Sequence, residues 1–111
     1  MKKHILLATA FLFCSVVHGQ EGGISGIVSD PSGAVVPGAQ VIVTDLGSGH
    51  SRSAVTNEQG HYVLPALRPG AYTLRVEVPG FRKYSQSGII VGADQRVTVN
   101  VGLLLGQTGE T

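Results

Sequence analysis

The stretch Leu67-Arg68-Pro69-Gly70-Ala71-Tyr72-Thr73-Leu74-Arg75-Val76-Glu77-Val78-Pro79-Gly80 reads as one β-strand set between two turns. Tyr72, Leu74, Val76 and Val78 alternate with Thr73, Arg75 and Glu77, the period-two pattern of a strand with one buried face. Pro69-Gly70 and Pro79-Gly80 stop it at both ends, because Pro presets φ and Gly accepts the backbone of a tight turn.

The same grammar recurs outward. On the N-terminal side lie Gly26-x-Val28-x-Asp30-x-x-Gly33, Pro37-Gly38-Ala39-x-Val41-x-Val43 and Thr56-x-x-x-Gly60-x-Tyr62-x-Leu64. Ile24 to Ser29 is a first strand with Ile24, Gly26 and Val28 on one face. Asp30-Pro31-Ser32-Gly33 is a turn in which Asp bonds its own backbone two residues on. Ala39 to Asp45 follows with Ala39, Val41 and Val43 inward. Residues 46–51 are a loose loop, and Arg52 to Thr56 is a weak edge strand. His61 to Leu64 points Tyr62 and Leu64 inward. On the C-terminal side, Phe81 to Ser85 and Gly88 to Val91 are shorter strands. Gln95 to Leu103 closes the domain with Val97, Val99, Val101 and Leu103 inward. About seven strands at spacings of ~8–12 residues predict an all-β antiparallel sandwich of transthyretin-like or immunoglobulin-like kind.

The ends read differently. Met1-Lys2-Lys3-His4 and the uncharged apolar run Ile5 to Val17 form a signal peptide, with cleavage expected after Gly19 and before Gln20. The thirteen-residue run is short of the ~20 residues needed to span a membrane. Phe13 stands where lipid attachment at Cys14 needs a small residue. The domain is expected over residues 20–105, and residues 106–111 are a polar tail or linker without period.

Processing changes the chemistry of the chain. Of 111 residues 92 remain, and loss of Lys2 and Lys3 takes the formal net charge from +1 to −1, with six cationic against seven acidic side chains. That balance carries no electrostatic footprint for nucleic acid or anionic lipid. The single cysteine leaves as well, so no disulfide holds the domain in an oxidising compartment. A chain of this size buries somewhat over ~60% of its unfolded surface, enough for a core but not for a core with a deep pocket. Sixteen glycines and five prolines fit a turn-rich β protein.

Little is left for catalysis. His50 and His61, with Asp45 and Glu58 near them in sequence, lack the spacing of a zinc site. Ser48, His50 and Asp45 are the right types for a nucleophilic set, but a Gly-Ser-Gly loop is expected to be too mobile to position them. Gly47-Ser48-Gly49 precedes neither a Lys nor a helix and is no phosphate loop. No catalytic residue, metal or cofactor is expected. Sugar sites present an aromatic face beside polar groups. With Tyr62, Tyr72 and Phe81 assigned to the core, Tyr84 is the exposed aromatic, and Tyr84, Arg82 and Lys83 are the candidate ligand contacts. The Arg52–Thr56 edge and an exposed Ile42 offer a surface for an added peptide strand.

The motifs quoted above resemble the carboxypeptidase regulatory-like domain over roughly residues 22–105. The resemblance implies a transthyretin-like, carbohydrate-binding-like sandwich. Members of that family accompany the catalytic domain of metallocarboxypeptidases, occur in surface proteins and stand at the N-terminus of TonB-dependent outer-membrane receptors. A signal peptide running straight into the domain is similar to the last arrangement, as is the Leu103-to-Thr111 tail. Without plug or barrel, the expectation is a truncated receptor reading frame or a stand-alone module. A collagen-adhesin-type isopeptide bond is not expected, because Lys83 is the one lysine after the signal and the first strand has none.

The resulting expectation is an exported, non-catalytic accessory or interaction module, periplasmic or associated with the outer membrane, and otherwise secreted. Its partners would be an outer-membrane receptor or another envelope protein. The alternatives are an extracellular carbohydrate-binding module and a regulatory or folding appendage of a metallocarboxypeptidase.

Overall fold

The computed structural model describes residues 21–106. The signal-peptide reading and all but the first residue of the tail lie outside them. Eight strands follow one another: β1 (Gly22–Ser29), β2 (Gln40–Asp45), β3 (Ser51–Val55), β4 (His61–Leu67), β5 (Gly70–Glu77), β6 (Tyr84–Val91), β7 (Arg96–Thr98) and β8 (Val101–Gly102). They form two four-stranded sheets. One has the order β4-β1-β7, with β8 also on β1, and the other has the order β3-β2-β5-β6. The chain is therefore an all-β sandwich, and no helix among the described residues is long and apolar enough to cross a membrane.

The alternation read from sequence builds the interior. Ile24 and Val28 of β1, Tyr62 and Leu64 of β4 and Val101 beside them face Val41, Val43, Leu74, Val76 and Val91 from the other sheet, all essentially inaccessible. Each such aliphatic side chain contributes roughly 1.5–3 kcal/mol on leaving water. β3 is an edge strand, as its weak pattern predicted. Ile42, expected to be exposed, is half-buried, because β2 is an inner strand between β3 and β5.

Three strands depart from the sequence reading, each for a local reason. Gln95 to Leu103 is broken into β7 and β8, and both run parallel to β1 rather than antiparallel. The break falls at Val99-Asn100, where the Asn100 Oδ1 accepts the Ile27 amide at 3.0 Å in place of a backbone carbonyl. The two pieces expected over 81–91 are one strand, β6, bent by a bulge. Tyr72 pairs with Ile89 but Leu74 with Gln86, so Thr73 faces two residues, Ser87 and Gly88. Gly88 takes φ 77° there, a conformation open to glycine at no steric cost. The extra residue changes parity, so Tyr84 and the odd-numbered Ile89 and Val91 all reach the inner side. β4 continues past Leu64 to Leu67 through Pro65-Ala66, because an edge strand tolerates proline at a bulge.

Turns are closed by acidic or amide side chains folding back on their own backbone. Asp30 Oδ1 accepts the Ser32 and Ala34 amides and the Ser32 hydroxyl. Asn57 Oδ1 accepts the Gln59 and His61 amides. Between them a buried hydroxyl ties two loops. Thr56 Oγ1 donates to the Val36 carbonyl at 2.7 Å and accepts the Ala39 amide at 2.8 Å. Thr56→Val keeps shape but strands both backbone groups, so chemical denaturation should show a loss of about 2–4 kcal/mol. A loss under ~0.5 kcal/mol would mean that water reaches them.

Candidate functional site

The residues expected to touch ligand lie around the start of β6. Arg82 and Lys83 are exposed, and the Arg82 amide donates to the Leu104 carbonyl at 2.8 Å. Tyr84 is not the exposed aromatic it was expected to be. Its ring is half-buried against the core, and its hydroxyl donates to Gln86 Oε1 at 2.7 Å. The bulge causes this, since it turns Tyr84 to the same side as Ile89.

His50 and His61 do not meet. His50 leads into β3 in one hairpin, whereas His61 opens β4 opposite Ile27. Among the described residues no three His, Cys, Asp or Glu side chains group as metal ligands would. Ser48, His50 and Asp45 do come together, but as a turn. Asp45 Oδ1 accepts the Gly47 amide at 2.8 Å and the Ser48 amide at 3.4 Å, and Ser48 Oγ accepts the His50 amide at 3.2 Å. The loop expected to be loose is thus closed by Asp45, in the manner of Asp30 and Asn57. The signal was present in the sequence: an Asx residue shortly before a glycine at each of the three turns.

That closed hairpin forms one wall of a cavity of about 290 Å³. It sits at the end of the sandwich where β1 begins. Asp45 pairs with Tyr72 and Tyr84 with Val76, so along β5 the cavity and the Tyr84 surface are four residues apart, or roughly 13 Å. Its polar lining includes Glu21, Asp45, His50, Arg52, Arg68 and Tyr72. Sequence reading puts Arg52 on an edge strand offered to an added peptide and Arg68 in a turn, and places neither in a small-molecule site. Folding brings them together because β3 and β4 are edge strands of different sheets that meet at this corner.

The β4 bulge shapes the far wall. Ile24 pairs with Leu64 and Gly22 with Leu67, so Pro65 and Ala66 oppose Gly23. Ala66 takes φ 60°, a left-handed conformation that costs a residue with a Cβ about 1–2 kcal/mol. Arg52 Nη1 donates to the Ala66 carbonyl at 2.9 Å and so ties the strained turn to the facing sheet. On the next turn, Tyr72 donates its hydroxyl to the Arg68 carbonyl at 2.7 Å.

Electrostatics follow from these bonds. The Gly47 amide, opposed by burial as the next largest effect and helped by the Ser48 amide, its hydroxyl and the neighbouring His50, holds the Asp45 carboxyl below the usual carboxylate range. The Ser32 hydroxyl and nearby amides do the same for Asp30. Burial pushes the Tyr72 hydroxyl up, helped by the Asp45 charge and opposed by Arg52 and Arg68. Burial also raises Tyr62, strongly. The two directions define a pH window. Depressed carboxyls add stability above their unfolded value of about 3.9 and lose it as pH falls further. Raised phenols keep theirs below about pH 10 and lose it as pH climbs, because the unfolded chain ionises first. The melting temperature should be flat near neutrality and fall on both sides. A rise above pH ~10 would contradict the burial of both phenols.

Residues 23–104 match the carboxypeptidase regulatory-like domain. The chain belongs to that family. It is 35% identical over 108 residues to the TonB-dependent transporter Oar of Myxococcus xanthus, covering 96% of this chain and 10% of the transporter. It is 40% identical over 73 residues to mouse carboxypeptidase M, covering 66% of this chain and 16% of that protein. The chain thus spans a small part of either relative. Two solved structures share the fold at low identity. A putative carbohydrate-binding protein of Bacteroides uniformis superposes with a TM-score of 0.62 at 18% identity, over 77% of this chain and 42% of that one. A catechol 1,2-dioxygenase of Acinetobacter gives 0.64 at 14%, over 87% and 56%. A fold shared by a binding protein and an oxygenase carries no function by itself.

Proposed function

We propose that this chain is an exported, non-catalytic accessory or interaction module of the cell envelope, of the kind that precedes a TonB-dependent outer-membrane receptor. The observation that carries the reading is the 35% identity to a TonB-dependent transporter along nearly the whole chain. The chemistry agrees with it. Asp30, Asp45 and Asn57 close turns, and Thr56 and Tyr62 bond to backbone, so these polar groups hold the scaffold. The carboxypeptidase relative supports an appendage role in the same non-catalytic sense. Carbohydrate contact through Tyr84, Arg82 and Lys83 has weaker support, because the Tyr84 ring lies against the core and its hydroxyl is engaged.

Expression of the full chain with a C-terminal epitope tag in a Gram-negative host tests the export and location together. The expected product starts at Gln20 and fractionates with the periplasm or outer membrane. Uncleaved protein in the cytoplasm would overturn the reading.

A further inference from the structure

We propose that the cavity between the β2–β3 hairpin and the β4 bulge binds a small sugar acid, a polyhydroxylated ligand bearing one carboxylate. At about 290 Å³ it lies at the lower limit of the ~300–1,000 Å³ usual for small-molecule sites, which suits a monosaccharide-sized occupant. Two guanidinium groups line it, Arg52 and Arg68. Arg52 is anchored through one nitrogen to the Ala66 carbonyl, which leaves its other donors for a ligand and limits how far the group can swing. Neither arginine forms an ion pair with a carboxylate among the described residues. A planar guanidinium is suited to grip a carboxylate through two parallel hydrogen bonds.

Acceptors are present too. Asp45 gives Oδ1 to the Gly47 and Ser48 amides and still faces the cavity, and Glu21 stands on the same lining. Two cationic and two anionic groups nearly cancel, so the cavity does not favour a compact, highly charged anion. They fit a ligand that offers one carboxylate and several hydroxyl donors. Neutral sugars are usually held by stacking on an aromatic face. Tyr72, the aromatic on this lining, is only 4% exposed and presents little face. Charge-assisted hydrogen bonds are left as the means of recognition. The site is independent of the envelope reading and stands in any compartment.

Titration of the purified full chain with D-glucuronate, D-glucose and inorganic phosphate tests the assignment by calorimetry and amide chemical shifts. Glucuronate should bind saturably, shift the His50, Ser51, Leu67 and Arg68 amides, and bind at least about tenfold more tightly than glucose. Arg68→Gln should weaken it about tenfold or more at unchanged melting temperature, since the Tyr72 hydroxyl bonds the backbone carbonyl of residue 68. Arg75→Gln, exposed on β5 and not on the lining, should change nothing. Absence of saturable shifts at these amides, glucose binding as tightly as glucuronate, or an unchanged affinity in Arg68→Gln would overturn the site. Phosphate binding as tightly as glucuronate would overturn the sugar-acid class.

Discussion

Gly26→Ala should cost about 3 kcal/mol or more and leave the domain largely unfolded at moderate urea. A Cβ at this position would overlap the Val99 carbonyl oxygen, stand 2.7 Å from the Val99 carbonyl carbon and 3.0 Å from the Tyr62 hydroxyl. Two of these three atoms are backbone, so no rotamer change relieves the clash. Ser25 accepts the Val99 amide at 2.8 Å, and Thr98 is in register with Ser25. Moving Val99 therefore means parting β7 from β1. Overpacking in cores usually costs 1–3 kcal/mol when side chains can yield, and backbone yields less. Domains of this size are stable by only ~5–15 kcal/mol in total. Urea unfolding measures the difference, and a midpoint matching the parent would show that the strands separate at no cost.

Tyr62 is the companion of that glycine. It sits directly across from Gly26 in the β1–β4 ladder and is 1% exposed, and its hydroxyl donates to the Val99 carbonyl at 2.6 Å. The missing side chain at position 26 leaves room for the Val99 carbonyl oxygen that this hydroxyl bonds. Tyr62→Ala should lose about 3–5 kcal/mol, as truncation of other large buried aromatics does. Tyr62→Phe removes only the hydrogen bond and should lose about 1–2 kcal/mol. The difference between the variants separates ring from hydroxyl. Equal losses would mean that the hydrogen bond, not the packing, governs the site. Residues 26 and 62 share atoms of contact, so the two substitutions should not add.

Legibility in the sequence followed the range of the interaction. Tyr72, Leu74 and Val76 were readable because alternation within one strand decides which side chain faces in. The Asp30 turn was readable because its partners lie within four residues. At Gly26 the chain reads as an inward position left empty, yet the reason is a tyrosine 36 residues on and a carbonyl 73 residues on. The parity of Val97, Val99, Val101 and Leu103 was legible while their direction was not, because a parallel neighbour produces the same alternation as an antiparallel one. Tyr84 failed for a related reason. One bulged residue at Gly88 reversed the parity that its own segment suggested. The candidate cavity was hardest of all. Arg52 and Arg68 carry no shared motif, and nothing local says that the strands bearing them meet.

What this sequence determined alone is the class of its fold, since strand alternation and turn chemistry are local properties that a chain displays without folding. It also carried the family, through the glycine, proline and tyrosine spacings that the sandwich requires. Tertiary structure alone decided the pairing partners of β7 and β8, the inward turn of Tyr84 and the corner where Arg52 reaches Ala66. Each depends on where distant segments arrive in space, and arrival is set by the packing of both sheets at once rather than by any stretch of residues read along the chain.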